Sequence, residues 1–349
     1  MTHWNSTDSS DMETLGTGSS GSTGPGAIPP TKALFRTDSA PEYAAPMVSA
    51  VIATRNRGAG LLPTVRAILE GSLRSVEVIV VDQSDDNATR SAIDELLPDT
   101  RIVYVRDVAR GASHARNVGF RVARADVIAI TDDDCIPSED WAESLYRLFQ
   151  QDNSLGLVFA SVVGPPISHR TSAVPTFVPS RGRREQGLRG KGRRLEGIGA
   201  NMAARRESLV KLGGFDCEFG PGSIRYSAED LELHYRALKS GIPVAVVGSP
   251  VVMHLGVRSF GERWTLWQRD ARSIGALTAH LWREGSPLTA MIAWYWYIGR
   301  ITQAAFFHIV FFRYPTGVRL AAWTWWNSLC GIVEEVRRPA SENGRTGVS

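Results

Sequence analysis

Residues 127–137 of the chain read Val127-Ile128-Ala129-Ile130-Thr131-Asp132-Asp133-Asp134-Cys135-Ile136-Pro137. An apolar run with β-branched residues leads directly into three carboxylates, which predicts a buried strand that carries acids at its carboxyl end. Ligands of α/β sheets bind at that end of the strands. Three adjacent carboxylates repel one another, so a positive group is expected against them. Because their ligand atoms are oxygens, Mg²⁺ or Mn²⁺ is the favoured partner.

A plainer interpretation of the same residues is a solvated acidic turn that caps the next helix. Ser138 is a good N-cap, and Glu139 and Asp140 suit a first helical turn.

Composition restricts the class of protein. The chain has 349 residues, 43% of them hydrophobic, and can bury one large or two smaller cores. A net charge of +3 does not indicate a nucleic-acid partner. Cys135, Cys217 and Cys330 are far apart and odd in number, which fits neither a disulfide framework nor a zinc site and suits a reducing cytoplasm.

Four regions are expected from the composition along the chain. Residues 1–45 are rich in Ser, Gly and Thr and are predicted to be a disordered tail without a visible secretory signal. Residues 46–258 form a predicted α/β domain, residues 259–338 a helical region, and residues 339–349 a second disordered tail.

Strand and helix patterns alternate four times after residue 46. The predicted strands are Met47–Ala53, Val76–Asp82, Ile102–Val105 and Val127–Thr131, each followed by apolar residues at helical spacing. This alternation predicts a parallel sheet with helices on both faces.

Polar residues at the ends of these strands should converge on one crevice. Asp82, the acids at 132–134 and the turn Thr54-Arg55-Asn56-Arg57-Gly58 belong to the same sheet edge. No Gly-x-Gly-x-x-Gly follows the first strand, which argues against a dinucleotide cofactor.

Regularity is lost after a fifth predicted strand, Leu157–Val163. The basic, glycine-rich stretch from Arg181 to Arg194 is either a solvated surface loop or a mobile lid that meets phosphate. The later predicted elements are a small-residue strand at Gly199–Ala204, a helix at Glu207–Leu212, and strands at Pro243–Val247 and Val251–His254.

A further helix is predicted from Ser227, its expected cap, to Leu238. It places Glu229 and Asp230 in the first turn, where both could merely complement the helix dipole.

Six motifs, in order, resemble family 2 glycosyltransferases of the GT-A fold, over roughly Val48 to His254. They are Val51-Ile52-Ala53-Thr54-Arg55-Asn56-Arg57, Val80-Val81-Asp82, Ala115-Arg116-Asn117-Val118-Gly119, Thr131-Asp132-Asp133-Asp134, Gly213-Gly214-Phe215-Asp216 and Glu229-Asp230-Leu231-Glu232-Leu233. The resemblance implies a Rossmann-like, mostly parallel sheet with helices on both faces.

The resemblance also implies roles for site residues. The expected nucleotide-sugar ligands are Thr54, Asn56, Asp82, Arg116, Asn117, Asp132 and Asp133. Asp134, with Asp132 and His254, would hold Mn²⁺ or Mg²⁺ at the diphosphate, although a purely structural His254 is an equal alternative. Gln83 stands where many members carry a second acid, so a uracil preference does not follow.

The implied reaction is transfer of a sugar from a nucleoside diphosphate, with UDP- or dTDP-sugars favoured, to a hydroxyl acceptor with inversion. Asp230 is the expected base, and Glu229 is expected to assist in binding. The rivals are a nucleotidyltransferase, whose glycine-rich phosphate loop is missing after the first strand, and a catalytically silent scaffold, which the retention of both Asp134 and Asp230 disfavours.

The last third of the chain predicts membrane association. Ser259–Arg283 is a predicted helix, Ala290–Phe312 is almost wholly apolar but contains Arg300, and Leu320–Val333 carries three tryptophans. Nearby arginines favour anionic lipid. We expect helices lying in the interface on the cytoplasmic face of the cell membrane, and a lipid-linked or cell-envelope acceptor; the alternative is a helical pair packed onto the catalytic domain.

Overall fold

The computed structural model describes residues 34–35, 45–166, 172–188, 194–299, 302–303 and 316–338. Its strands are β1 (Leu34–Phe35), β2 (Val48–Thr54), β3 (Val76–Asp82), β4 (Ile102–Arg106), β5 (Val127–Asp132), β6 (Cys135–Pro137), β7 (Leu157–Val163), β8 (Ser172–Ala173), β9 (Arg183–Glu185), β10 (Met202–Arg205), β11 (Val244–His254) and β12 (Arg258–Ser259). Its helices are α1 (Leu62–Glu70), α2 (Ala88–Asp94), α3 (Ala112–Val122), α4 (Trp141–Gln151), α5 (Arg206–Leu212), α6 (Glu229–Lys239), α7 (Phe260–Arg283), α8 (Pro287–Trp294) and α9 (Thr316–Arg337).

The main sheet has the order β1-β4-β3-β2-β5-β10-β7-β11-β6, and β9 pairs with β11. Strands β4, β3, β2 and β5 are parallel, which confirms the parallel sheet predicted from the alternating pattern. The other half is mixed, because β10 runs antiparallel to both of its neighbours. Two residues of the predicted N-terminal tail form the edge strand β1; the rest of that tail and residues 339–349 lie outside the described residues.

Two apolar cores cover the two faces of the sheet. All seven residues of β3 are buried, and they alternate between the cores. Val78 and Val80 pack with α1 and α4, whereas Ile79 and Val81 pack with α3 and α6. This burial on both faces is the reason that Val78 to Val81 form a continuous apolar run.

Three local predictions differ from the structure. The residues after Pro243 form one strand, β11, whose register against β7 shifts between Val246 and Val251, instead of two strands. The small-residue segment begins as a 3-10 turn, and its strand starts only at Met202. Helix α6 starts at Glu229 with Ala228 as its cap, in place of Ser227.

The C-terminal helices pack closely together. A Cβ atom added at Gly331 of α9 would overlap the carbonyl oxygen of Arg272 in α7, and one at Gly275 would overlap the carbonyl oxygen of Ser328. Glycine at these two positions therefore lets the helix backbones touch. Among the described residues, none of the helices combines the length and apolarity needed to cross a bilayer. Much of the predicted apolar segment Ala290–Phe312, including Arg300, lies outside the described residues.

Candidate active site

The predicted crevice lies at the carboxyl ends of β2, β3 and β5. Thr54 is paired with Asp82 in register, and Ala53 is paired with Asp132. After β5 the chain turns and returns as β6, where Cys135 is the register partner of His254 in β11. The sheet thus brings the acidic turn, the end of β3 and His254 to the same edge.

Asp133 is the most enclosed acid of the turn. It accepts hydrogen bonds from Thr54 Oγ1 at 2.6 Å and from Arg57 at 2.7 and 3.0 Å. Burial nevertheless raises the pKa of its carboxyl, against the effect of these bonds. Thr54 and Asp133, both expected at the nucleotide, therefore bind each other. Asp132 is more accessible than Asp133, with a third of its side chain exposed.

The acids expected at a metal lie beside His254. One oxygen of Asp134 lies 3.6 Å from His254 Nε2, and the other accepts from Arg57 at 3.0 Å. Asp132, Cys135 and His254 each place one ligand atom within 4.8 Å of the others.

Cys135 is a poor fourth ligand for a hard cation. It is fully buried, and burial together with Asp132 and Asp134 raises the pKa of its thiol far above the usual range. The residues expected at a metal, Asp132, Asp134 and His254, therefore lie together at this edge, and two carboxylates with an imidazole are chemically suited to Mn²⁺ or Mg²⁺.

Asp82 is fully buried and already has several partners. It accepts from Tyr104 at 2.6 Å, from Arg106 at 2.9 Å and from the backbone and hydroxyl of Ser84. Its carboxylate therefore shapes the loop under the crevice. No pattern in the sequence indicates Tyr104 and Arg106 as its partners.

Asn56 faces the exposed acid Asp85 instead. The two residues exchange hydrogen bonds of 2.8 and 3.0 Å, and Arg55 and Arg110 also bind Asp85. The hydrogen bond from Asn56, followed by that from Arg55, lowers the pKa of Asp85 to about 2. This network fixes the turn after β2 against the turn after β3.

A buried polar group follows β4. Asp107 accepts from Gln83 at 3.0 Å, and His114 Nε2 lies 3.3 Å from it. Hydrogen bonding to Asp107, and then to Cys217, raises the pKa of His114 to about 9. His114 is therefore a cation at neutral pH beside Gln83, the residue that departs from the family motif.

Arg116 lies between the two acidic centres. Its side chain is 3% exposed and donates to Glu229 at 2.7 Å and to Asp132 at 3.0 Å. Asn117, the next residue, makes two 2.8 Å hydrogen bonds with the backbone of Phe215. Arg116 thus connects the acidic turn to the start of α6, whereas Asn117 supports the turn that follows Gly214.

Asp230 is partly buried at the start of α6. It accepts from the backbone N–H of Gly199 at 3.0 Å and of Leu231 at 2.8 Å. Burial first, and the charge of Glu229 second, raises the pKa of Asp230 to about 7. A carboxylate with such a pKa is suited to accept a proton near neutral pH.

This sheet, with the acidic turn at the carboxyl edge of its parallel strands, has the GT-A fold of glycosyltransferases. Residues 49–213, just under half of the chain, match the family model described as glycosyl transferase family 2.

Named relatives agree with this assignment. The chain is 28% identical over 182 residues to the glucosyl-dolichyl phosphate glucuronosyltransferase of Haloferax volcanii, covering 50% of this chain and 57% of that protein. It is 32% identical over 110 residues to glycosyltransferase GlyG of Streptococcus pneumoniae, covering 31% and 36%. The chain thus spans little more than half the length of the first relative, and less of the second.

A solved structure shows the same fold. It is the mannosyltransferase PcManGT of Pyrobaculum calidifontis in complex with GDP-Man and Mn²⁺, at a TM-score of 0.54 and 18% identity, over 84% of this chain and 88% of that one.

Proposed function

We propose that this protein is a metal-dependent, inverting glycosyltransferase that moves a sugar from a nucleoside diphosphate, UDP or dTDP in preference, to a hydroxyl acceptor. The observation that carries the proposal is Asp230, a carboxyl with a pKa of about 7, held across Arg116 from the acidic turn. An acceptor hydroxyl is a weak nucleophile near pH 7, and a carboxylate that takes its proton makes one direct displacement possible. A single displacement inverts the anomeric carbon.

Asp132, Asp134 and His254 would hold Mn²⁺ or Mg²⁺. A bound cation would stabilise the negative charge that develops on the leaving diphosphate. The Mn²⁺ and GDP-Man of the solved mannosyltransferase support this assignment. The nucleotide would lie over Thr54, Asn56 and Asp82, with Arg116 and Asn117 behind the acidic turn and Asp132 nearest the ribose.

Neighbouring residues fix the position of Asp230, the proposed base, and raise its pKa. Backbone N–H groups of Gly199 and Leu231 fix the two oxygens of Asp230. Glu229 accepts from Arg116 and raises the pKa of Asp230 through its charge. Glu229 therefore assists by holding and tuning the base.

The acceptor that we propose is lipid-linked or part of a cell-envelope glycan. The name of the Haloferax volcanii relative specifies a dolichyl phosphate acceptor, which supports a lipid carrier. A surface suited to such a substrate is present on the C-terminal helices.

Helix α9 buries a largely polar side and exposes an apolar side, the opposite of the usual arrangement in a helix packed on a protein. Its buried positions are Thr324, Ser328, Gly331 and Glu335, whereas its outer stripe is Ala322, Trp326, Leu329, Val333 and Val336. The two stripes are offset by two residues, or about 200° around a helix. A helix that buries its polar side and exposes its apolar side requires an apolar partner on that exposed side.

We propose that this partner is the cytoplasmic face of the cell membrane. Trp326 is 63% exposed and Tyr295 of the adjoining π-helical turn is 69% exposed, and such rings prefer the lipid interface. A shallow concavity of about 530 Å³ beside the same helix is lined by Arg272, Arg337, Arg338 and Glu334, and its net positive charge suits anionic lipid although Arg272 pairs with Glu334. The domain would bind peripherally, with α9 in the interface.

Thermal unfolding with added ligands tests the donor and the metal together. We expect Tm to rise with UDP-glucose, UDP-N-acetylglucosamine, UDP-glucuronic acid, dTDP-glucose or GDP-mannose, and only when Mn²⁺ or Mg²⁺ is present. A ligand at about 100 times its Kd adds roughly 2.7 kcal/mol to the free energy of unfolding. Equal Tm values with and without every donor would refute the proposal.

A further inference from the structure

The segment that delivers Asp230 has an unusual backbone. Tyr226 has φ 45° and Ala228, the cap of α6, has φ 74°. Both lie in the left-handed region, although neither is glycine. Such conformations persist only where the surrounding structure holds them.

Arg225, the residue just before this segment, is fixed from several sides. Its side chain is nearly buried and donates to Glu335 of α9 at 2.7 and 2.9 Å, and it also pairs with Glu218. Its backbone N–H donates to Glu218 O at 3.0 Å, and its carbonyl accepts from the Ser273 hydroxyl of α7. Helices α7 and α9 therefore both hold Arg225, which belongs to the turn at residues 219–228 that leads into α6.

The opposite side of the turn touches the catalytic elements. Ser113 of α3 donates to Phe219 O at 2.6 Å, and a Cβ placed on Gly220 would lie 3.2 Å from the carboxyl group of Glu229. Arg225 stacks over the Phe219 ring at 4.7 Å. Packed contacts thus connect Glu335 to Arg225 and Arg225 to Phe219. Gly220, the residue after Phe219, packs against Glu229, the neighbour of Asp230.

We propose that Arg225 is a positioning residue for Asp230, and that Glu335 of α9 is the anchor that keeps it in place. The C-terminal helices thus hold Asp230 in position, in addition to their proposed contact with the membrane. This inference rests on the proposed role of Asp230 as the base.

Two adjacent glutamates of α9 supply a matched pair of variants. Glu335→Gln removes the negative charge of the anchor, whereas Glu334→Gln removes the charge of an exposed pair that joins α9 to Arg272 of α7. We expect backbone amides of residues 215–231 to exchange hydrogen for deuterium at least fivefold faster in Glu335→Gln and at the wild-type rate in Glu334→Gln. If Glu335→Gln does not fold, Arg225→Lys takes its place.

Catalytic parameters separate positioning from general loss of stability. With the donor of the five-member panel that the wild type turns over, Glu335→Gln should lower kcat at least tenfold with an unchanged donor KM. The acid limb of its pH profile should move, because the surroundings of Asp230 change. A merely structural role would lower Tm and leave the pH profile of the folded enzyme in place.

Two outcomes distinguish the proposals. A wild type that turns over none of the five donors refutes the proposed function. Unchanged exchange in residues 215–231, or kcat and pH profile equal to those of Glu334→Gln, refutes the positioning role of Arg225.

Discussion

Nη1 of Arg116 lies 2.7 Å from Oε1 of Glu229, so two residues 113 positions apart in the chain form a buried ion pair in the middle of the site. The same guanidinium reaches Asp132 at 3.0 Å. One cation therefore balances an acid of the proposed metal site and an acid next to the proposed base.

Replacing Arg116 by alanine should destabilise the protein strongly. Removal of one member of a buried pair leaves a buried charge without compensation, which costs about 3–5 kcal/mol of unfolding free energy. Arg55→Ala, which breaks an exposed pair with Asp85, should cost less than about 1 kcal/mol. Urea denaturation measures both. Equal midpoints for the two variants would contradict the role of Arg116.

Asp230→Asn should lower kcat by roughly 10² to 10⁴ with little change in donor Kd, because general-base help is of that size. Donor binding measured by calorimetry is the control. Loss of donor binding with retained kcat would place Asp230 in the nucleotide pocket.

The activity should fall below about pH 7. The pKa of Asp230 is raised to about 7, so the carboxylate that accepts the proton is half-populated there and falls tenfold for each further pH unit. Glu229→Gln should move this limb to lower pH, since the charge of Glu229 contributes to the rise. A kcat–pH profile at saturating Mn²⁺ measures the limb; a profile flat down to pH 5 would contradict the assignment.

Asp134→Asn and Asp133→Asn should fail in different ways. Asp134 is a proposed metal ligand, so its variant should fold normally and lose the Mn²⁺-dependent rise of Tm with donor. Asp133 holds Thr54 and Arg57, so its variant should lose stability without donor. Normal turnover of Asp134→Asn in chelator-treated buffer would show that the metal assignment is wrong.

Substitution of Trp326, Leu329 and Val333 by serine should release the protein from vesicles. Co-sedimentation with vesicles containing phosphatidylglycerol should fall at least tenfold, while Tm stays near the wild-type value because these side chains are exposed. Val108→Ser with Val210→Ser removes exposed apolar side chains elsewhere and should leave binding unchanged. A truncation near Gly285 is a poor substitute, because it also removes Glu335. Wild-type protein that stays in the supernatant would refute the membrane proposal.

The sequence predicted the sheet edge well because its signals are local. Apolar strands that end in Asp82 and in Asp132 place both acids by strand direction alone, and the register confirms that they share one edge. Individual partners were not predictable. Arg57 meets Asp133 across 76 positions, and Arg225 meets Glu335 across 110, and no spacing in a sequence encodes such pairs.

The C-terminal region shows a second limit. The apolar stretch from Leu320 to Val333 is visible in the sequence, but hydrophobicity alone does not distinguish a side that meets lipid from a side that packs on the catalytic domain. The structure buries the polar side, because Ser328, Gly331 and Glu335 meet glycine and arginine on their partners. Only the packing of α9 on α7 shows which side is left outside.

The contact between Arg225 and Glu335 also has a consequence for synthesis of the chain. A nascent polypeptide gains β2 to β5, and with them the acidic turn, roughly 200 residues before Glu335 leaves the ribosome. The Arg225 turn acquires its last anchor only when α9 has been made. A chain released before residue 335 would therefore be expected to bind nucleotide sugar without transferring it efficiently.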